Sequence, residues 1–148
     1  MKANQIIGPA DQQKIKNTVA EAELLTSGEI RIFVEDHSKD DPLDRAVFLF
    51  EELGMQKTDL RNGILIYVAI KDKHFSIIGD AGIHAKVGDA FWEGIRNEMK
   101  DHFSHGHIAE GIVAGVAQAG KALMKYFPRQ HDDVNELPDD IIFGKGTQ

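Results

Sequence analysis

Two periods alternate along this chain. After Pro9, Ile15, Val19, Ala22 and Leu25 recur at helical spacing, and Gly28 is the expected stop. "EIRIFVED" then alternates polar with apolar residues and is rich in β-branched types, which predicts a strand over residues 29–36. "HSKDDP" is a loop. "LDRAVFLFEELGM" returns to the helical period, with Leu43, Ala46, Val47, Phe50 and Gly54 on one face and Asp44 at its start. "QKTDLRN" is a second loop. "GILIYVAI", residues 63–70, is almost wholly apolar, the pattern of a strand covered on both faces. "KDK" leaves room only for a tight turn, so "HFSIIG", residues 74–79, returns antiparallel.

Beyond Asp80 the helical period takes over. "AFWEGIRNEMKDHFSHG", opened by Asp89, predicts a long amphipathic helix ending at Gly106. "HIAEGIVAGVAQAGKALMKYF" predicts another, with Ile108, Ile112, Val116, Ala119 and Leu123 inward and Pro128 as its stop. The remainder is acidic and punctuated by proline. It reads as an extended tail over 129–148, docked through Ile141, Ile142 and Phe143, after a single domain over 1–128. The order α-β-α-β-β-α-α predicts an α/β fold. Strands one and two are parallel through a helical crossover, strand three is antiparallel, and helices cover both faces of a small mixed sheet.

That connectivity gives "GDAG" a place. Helix two returns the chain to the edge where strands one and two begin, and strand three ends there too. Asp59, Asn62 and Asp80 are expected to converge at this edge, with Glu29 nearby and Asp89 nine residues beyond Asp80. Oxygen donors beside flexible glycines suit a hard cation, calcium or magnesium, which would relieve the repulsion of clustered carboxylates. On this reading Gly79 and Gly82 let the backbone bend around the ion. The plainer reading makes Asp59 and Asn62 turn residues, Asp89 a helix cap and Asp80 a solvated loop carboxylate.

Other polar clusters carry less. Asp36, Asp40, Asp41 and Asp44 form an acidic loop at the opposite edge, without the spacing of a calcium loop. His102, His105 and His107 surround a helix C-terminus, where positive charge is welcome, and lack a zinc-binding complement. Gly111 and Gly115 read as close helix–sheet packing. No phosphate loop and no GxSxG elbow is present.

Composition narrows the function classes. The formal net charge of -7 argues against nucleic acid and anionic membranes as partners. The absence of cysteine removes disulfides, thiolate metal sites and cysteine nucleophiles. Neither a secretory leader nor a transmembrane segment is visible, so a cytoplasmic protein is expected.

From about Ala10 to Pro128 the chain resembles the TPM domain family, the thylakoid-lumen photosystem II repair proteins and their bacterial relatives. The resemblance rests on "TSGEIRIFVED", "LDRAVFLFEELGM", "RNGILIYVAIKDKHFSIIGDAGI", "VGDAFW" and "HFSHGHIAEGIVAGVAQAGKAL", in that order. The closing "NELPDDI" looks like a bacterial subgroup in which the domain stands alone. The resemblance implies a three-layer α/β/α sandwich and divalent-metal binding, and some members carry a phosphatase label. Its motifs fall on Asn62–Gly63, Gly79, Gly82 and Asp89. Asp80 departs from it, standing where an aromatic or basic residue is common.

Three functions are therefore expected, in this order. The first is a binding or accessory module holding calcium or magnesium at Asp59, Asn62, Asp80 and Asp89, with a partner or ligand in the adjoining cleft. The second is a metal-dependent phosphatase at the same cluster, with Arg61 or Lys57 offsetting phosphate charge; no activated nucleophile is evident for it. The third is an interaction domain working through its acidic tail.

Overall fold

The computed structural model of the chain describes residues 1–129 and 141–144. In chain order its elements are α1 (Ala3–Ile6), α2 (Pro9–Glu23), β1 (Glu29–Glu35), α3 (Pro42–Glu52), β2 (Gly63–Ala69), β3 (His74–Gly79), α4 (Ala81–Val87), α5 (Asp89–Ser104), α6 (Ile108–Tyr126) and β4 (Ile141–Phe143). The first three strands form where β-branched residues are dense. β1 and β2 are parallel, Glu29 opposite Gly63, and β3 is antiparallel to β2, Ile64 opposite Gly79. Ile141 to Phe143 add a strand parallel to β1, Ile141 opposite Ile32, so the sheet order is β3-β2-β1-β4. The rest of the expected tail, residues 130–140 and 145–148, lies outside the described residues.

Three layers follow from side-chain alternation. Ile64, Ile66 and Val68 of β2 pack with Ile15, Val19, Met99, Val116 and Leu123 from α2, α5 and α6. Leu65, Tyr67 and Ala69 face the other way and pack with Ala46, Leu49 and Phe50 of α3. β2 is buried at every position, as its unbroken apolar run predicts. Each such aliphatic side chain taken from water contributes about 1.5–3 kcal/mol, which is why the apolar runs decide the layering.

Several details differ from the expectation. α2 ends at Glu23, and Leu25 is 56 % exposed, not inward. The chain leaves the helix because Thr26 is tied elsewhere: its hydroxyl donates to the carbonyls of Phe127 at 2.5 Å and Leu123 at 3.1 Å. α3 is rotated from its expected face, so Leu43 and Val47 are exposed while Ala46, Leu49 and Phe50 go inside. Its cap is Asp41, whose carboxylate accepts from the backbone of Leu43 and Asp44. Gly111 and Gly115 serve helix–helix packing more than helix–sheet packing. A Cβ on them would stand 2.3 Å from the Phe103 ring and 2.7 Å from Met99 Sδ, both on α5. α1 and α4 are additions. No helix among the described residues is long and apolar enough to cross a membrane.

Candidate functional site

The edge where β1 and β2 begin is assembled as the connectivity requires. The Asp80 amide donates to the Gly63 carbonyl at 2.9 Å, Gly82 to Arg61 at 2.8 Å, and Glu29 to Asn62 at 3.4 Å. "GDAG" therefore lies directly on the loop that precedes β2.

Asp80 has two partners there. Its Oδ1 accepts from the Ala81 amide at 2.8 Å, so it caps α4. Its two oxygens also take a bidentate fork from Arg61, Nε to Oδ2 at 2.6 Å and Nη2 to Oδ1 at 2.7 Å. Such a fork is among the stronger charge-assisted arrangements. It raises the guanidinium pKa, first through the hydrogen bond to Asp80 and then through its charge. The partners differ in exposure: 6 % of the Asp80 side chain meets solvent against 52 % of Arg61. Arg61 sits at φ 51°, in the left-handed region that non-glycine residues seldom take.

The flanking glycines are not a flexible hinge. A Cβ on Gly79 would stand 2.5 Å from the Trp92 ring, and one on Gly82 would stand 2.0 Å from the Leu60 carbonyl oxygen. Each is a point of close approach. Gly79 seats the α5 tryptophan, and Gly82 lets α4 dock on the loop.

The remaining candidate ligands are placed as follows. Asn62 is buried, its amide nitrogen donating to Ser27 Oγ at 3.3 Å. Asp59 is exposed on the loop. Asp89 is the first residue of α5, behind a Gly88 cap; its side chain is 98 % exposed and 3.6 Å from His84 Nε2. Among the described residues no three histidine, aspartate or glutamate side chains gather as a metal cluster. The four carry hard oxygen donors but do not form one ready shell among the described residues. A cation meets the Asp80 carboxylate only where Arg61 gives way.

Beside this pair a cleft of about 510 Å³ opens along the outer strand β3, between α3 and α5. Val47, Phe50, Ile77, Ile78 and Trp92 supply its apolar lining, and Arg61, Asp80, His84 and Arg96 its polar side. Trp92 Nε1 donates to His84 Nδ1 at 2.9 Å, which places the proton of the neutral ring on Nε2. His84, Trp92 and Arg96 were not among the residues singled out from sequence. A signal existed for α4: Asp80 precedes a run with Ile83 and Val87 four apart, an N-cap before a helical stripe.

The other polar clusters are absorbed by structure. Asp36 accepts from the Ala3 amide at 2.7 Å and pairs with Lys71 at 3.2 Å. His105 contacts the Asp101 carbonyl through Nδ1 at 2.8 Å, and its ring stacks on His107.

Comparison with known proteins bears on the family and the fold. Residues 1–122 match the family model described as TPM domain. The fold is similar to the NMR structure of BA42 protein from the psychrophilic bacterium Bizionia argentinensis, with a TM-score of 0.86 and 44 % identity over 93 % of this chain and 94 % of that one. Two more distant structures show the fold alone. The N-terminal domain of a protein from P. gingivalis has a TM-score of 0.66 at 19 % identity, covering 85 % of this chain and 83 % of that one. The N-terminal domain of cg2496 protein from Corynebacterium glutamicum has a TM-score of 0.64 at 15 % identity, covering 79 % and 74 %. No curated protein matches.

Proposed function

The chain belongs to the TPM domain family, and from that premise we propose that it is a cytoplasmic binding module that takes calcium or magnesium at the edge carrying Asp59, Asn62, Asp80 and Asp89. The observation that carries this reading is the asymmetry of the Asp80–Arg61 pair: a buried carboxylate with a half-exposed counter-ion. Arg61 is the resident cation of the free state. It can swing into water at little desolvation cost, and a divalent ion then takes its place on Asp80, with the exposed carboxylates of Asp59, two residues before Arg61, and Asp89, nine residues after Asp80, to share it. Leu43, Val47 and Phe48 leave an apolar strip exposed on α3, beside the cleft, which suits a protein partner.

Calorimetry and thermal melting with calcium and with magnesium test this reading. An ion at a hundred times its dissociation constant stabilises the fold by about 2.7 kcal/mol. Asp80→Asn should weaken binding, whereas Arg61→Ala should tighten it, because the competing cation is gone. Asp40→Asn, at the opposite edge, should change neither. Equal losses in Asp80→Asn and Asp40→Asn would reduce the signal to diffuse counter-ion attraction.

The second reading is a metal-dependent phosphatase, favoured by Arg61, Arg96 and His84 beside one cleft. Against it, both Asp80 oxygens accept from Arg61, and His84 Nδ1 accepts from Trp92, so neither is a free nucleophile. Hydrolysis of an activated aryl phosphate should be slow at most. Efficient turnover that disappears in Asp80→Ala, with the fold intact, would make catalysis the main reading.

A further inference from the structure

The geometry points to the cleft between α3 and α5 as a binding site for a monocarboxylate with an apolar body, its carboxylate held by Arg96 and His84. This goes beyond cation binding and does not depend on it, since neither residue belongs to the proposed cation set.

Three observations carry it. The first is shape and lining. A space of about 510 Å³ walled by Val47, Phe50, Ile77, Ile78 and Trp92 lies within the ordinary size range of small-ligand clefts. Val47 leaves 49 % of its surface in water at that wall, apolar area that a ligand would cover.

The second is donor supply. Arg96 is exposed and has no ion-pair or hydrogen-bond partner among the described residues. The Trp92 bond leaves His84 Nε2 carrying the ring proton, and the 3.6 Å to Asp89 is longer than a hydrogen bond. Arg61 has a further terminal nitrogen, Nη1, not engaged in the fork to Asp80. These donors border an apolar wall, the arrangement that recognises an amphipathic anion.

The third is charge balance, which selects the anion. Arg61 is offset by Asp80, and the lining carries one further carboxylate, Glu51 on α3, for the one further guanidinium, Arg96 on α5. With formal charges summing to zero, the lining accepts one negative charge far better than the two of a phosphate monoester. Glu51 then acts against the ligand and limits its affinity.

Trp92 is the sole tryptophan and lines the cleft, so its fluorescence reports occupancy. Octanoate and octyl phosphate, below their micellar concentrations, and octanol, below its solubility limit, are titrated into the full chain. Octanoate should give a saturable change and bind tightest. Arg96→Gln should weaken it about tenfold, the loss of one charge-assisted hydrogen bond, and Glu51→Gln should tighten it. Both side chains are exposed, so both variants should fold, and unchanged melting confirms this. Octanol binding as well as octanoate would reduce the cleft to an apolar patch. Tighter binding of octyl phosphate would reverse the charge argument. The absence of a saturable change, or an Arg96→Gln protein that binds octanoate unaltered, would overturn the assignment.

Discussion

Two buried carboxylates stand at opposite ends of the same sheet, each gripped by an arginine fork, and they do different work. At the far end of β1, Glu35 receives Arg45 through Nε at 3.0 Å and Nη2 at 3.1 Å, and also the hydroxyl of the fully buried Tyr67. Arg45 is 25 % exposed and lies 5.6 Å from the centre of the Phe48 ring. Strand, crossover helix and central strand are tied into one knot, and none of the three residues lines the cleft. At the near end, Asp80 has only Arg61 and the amide of its own helix, Arg61 is half in water, and both line the cleft. An enclosed ion pair holds a fold in register. A pair with one member half in water is the one at which the proposed exchange for a cation can be tested. Chemical type is the same at both ends; what separates them is the exposure of the arginine, 25 % for Arg45 against 52 % for Arg61.

The largest test breaks the enclosed knot. Glu35→Ala leaves Arg45 and the Tyr67 hydroxyl without their shared acceptor, and should lower unfolding stability by about 3 kcal/mol in a denaturant titration. A loss no greater than that of Asp80→Ala, where a helix cap worth about 1 kcal/mol goes, would erase the distinction between the ends.

Gly82→Ala attacks the near end from below. Its new methyl group would meet backbone, the Leu60 carbonyl oxygen, so the loop carrying Arg61 must shift at a cost of about 1–3 kcal/mol. Gly94→Ala is the control. Nothing lies within 4 Å of a Cβ there, and the change should be neutral or stabilising in α5.

Tyr67 sharpens the contrast through pH. Burial, and then the hydrogen bond to Glu35, push its phenol well above the usual range, because both favour the neutral form. Its folded pKa exceeds the unfolded value of about 10, so its contribution is complete below that pH and is lost as pH rises beyond it. The native protein should lose stability above pH 10 more steeply than Tyr67→Phe, by up to about 1.4 kcal/mol per pH unit. Parallel curves would mean that the phenol is not sealed from solvent.

The smallest effect compares the arginines themselves. Arg45→Ala should lower the melting temperature more than Arg61→Ala, because Arg45 is the less exposed arginine, 25 % against 52 %, and its loss also leaves the Tyr67 hydroxyl on an uncompensated Glu35. Equal shifts would place Arg61 in the structural frame and remove the reason to regard it as exchangeable.

Much of this fold was legible along the chain. The unbroken run of Gly63–Ala69, the alternation in β1 and the three-residue turn before β3 state a mixed sheet, because strand period and chain reversal each demand a distinct local pattern. The alternation did not show that β1 is buried on both faces, Glu29 and Glu35 included. Connectivity then brings "GDAG" to Asn62–Gly63 with no knowledge of side-chain positions. The faces of α3 were less legible: Leu43, Val47 and Phe48 are as apolar as the residues that go inside, and only the sheet beneath decides which face is covered.

What tertiary structure alone decided is pairing and enclosure. Sequence placed Asp80 at the right edge and suggested a cation for it. It did not show that Asp80 takes a two-pronged bond from Arg61, a residue whose left-handed backbone no local pattern announces. Nor did it show that Gly79 and Gly82 are spaces for Trp92 and the Leu60 carbonyl, or that Trp92 holds His84 in one tautomer. Local propensity and periodicity act over a few residues and are written in order along the chain. Which donor meets which acceptor, and how much water remains between them, is set by packing between segments far apart in sequence.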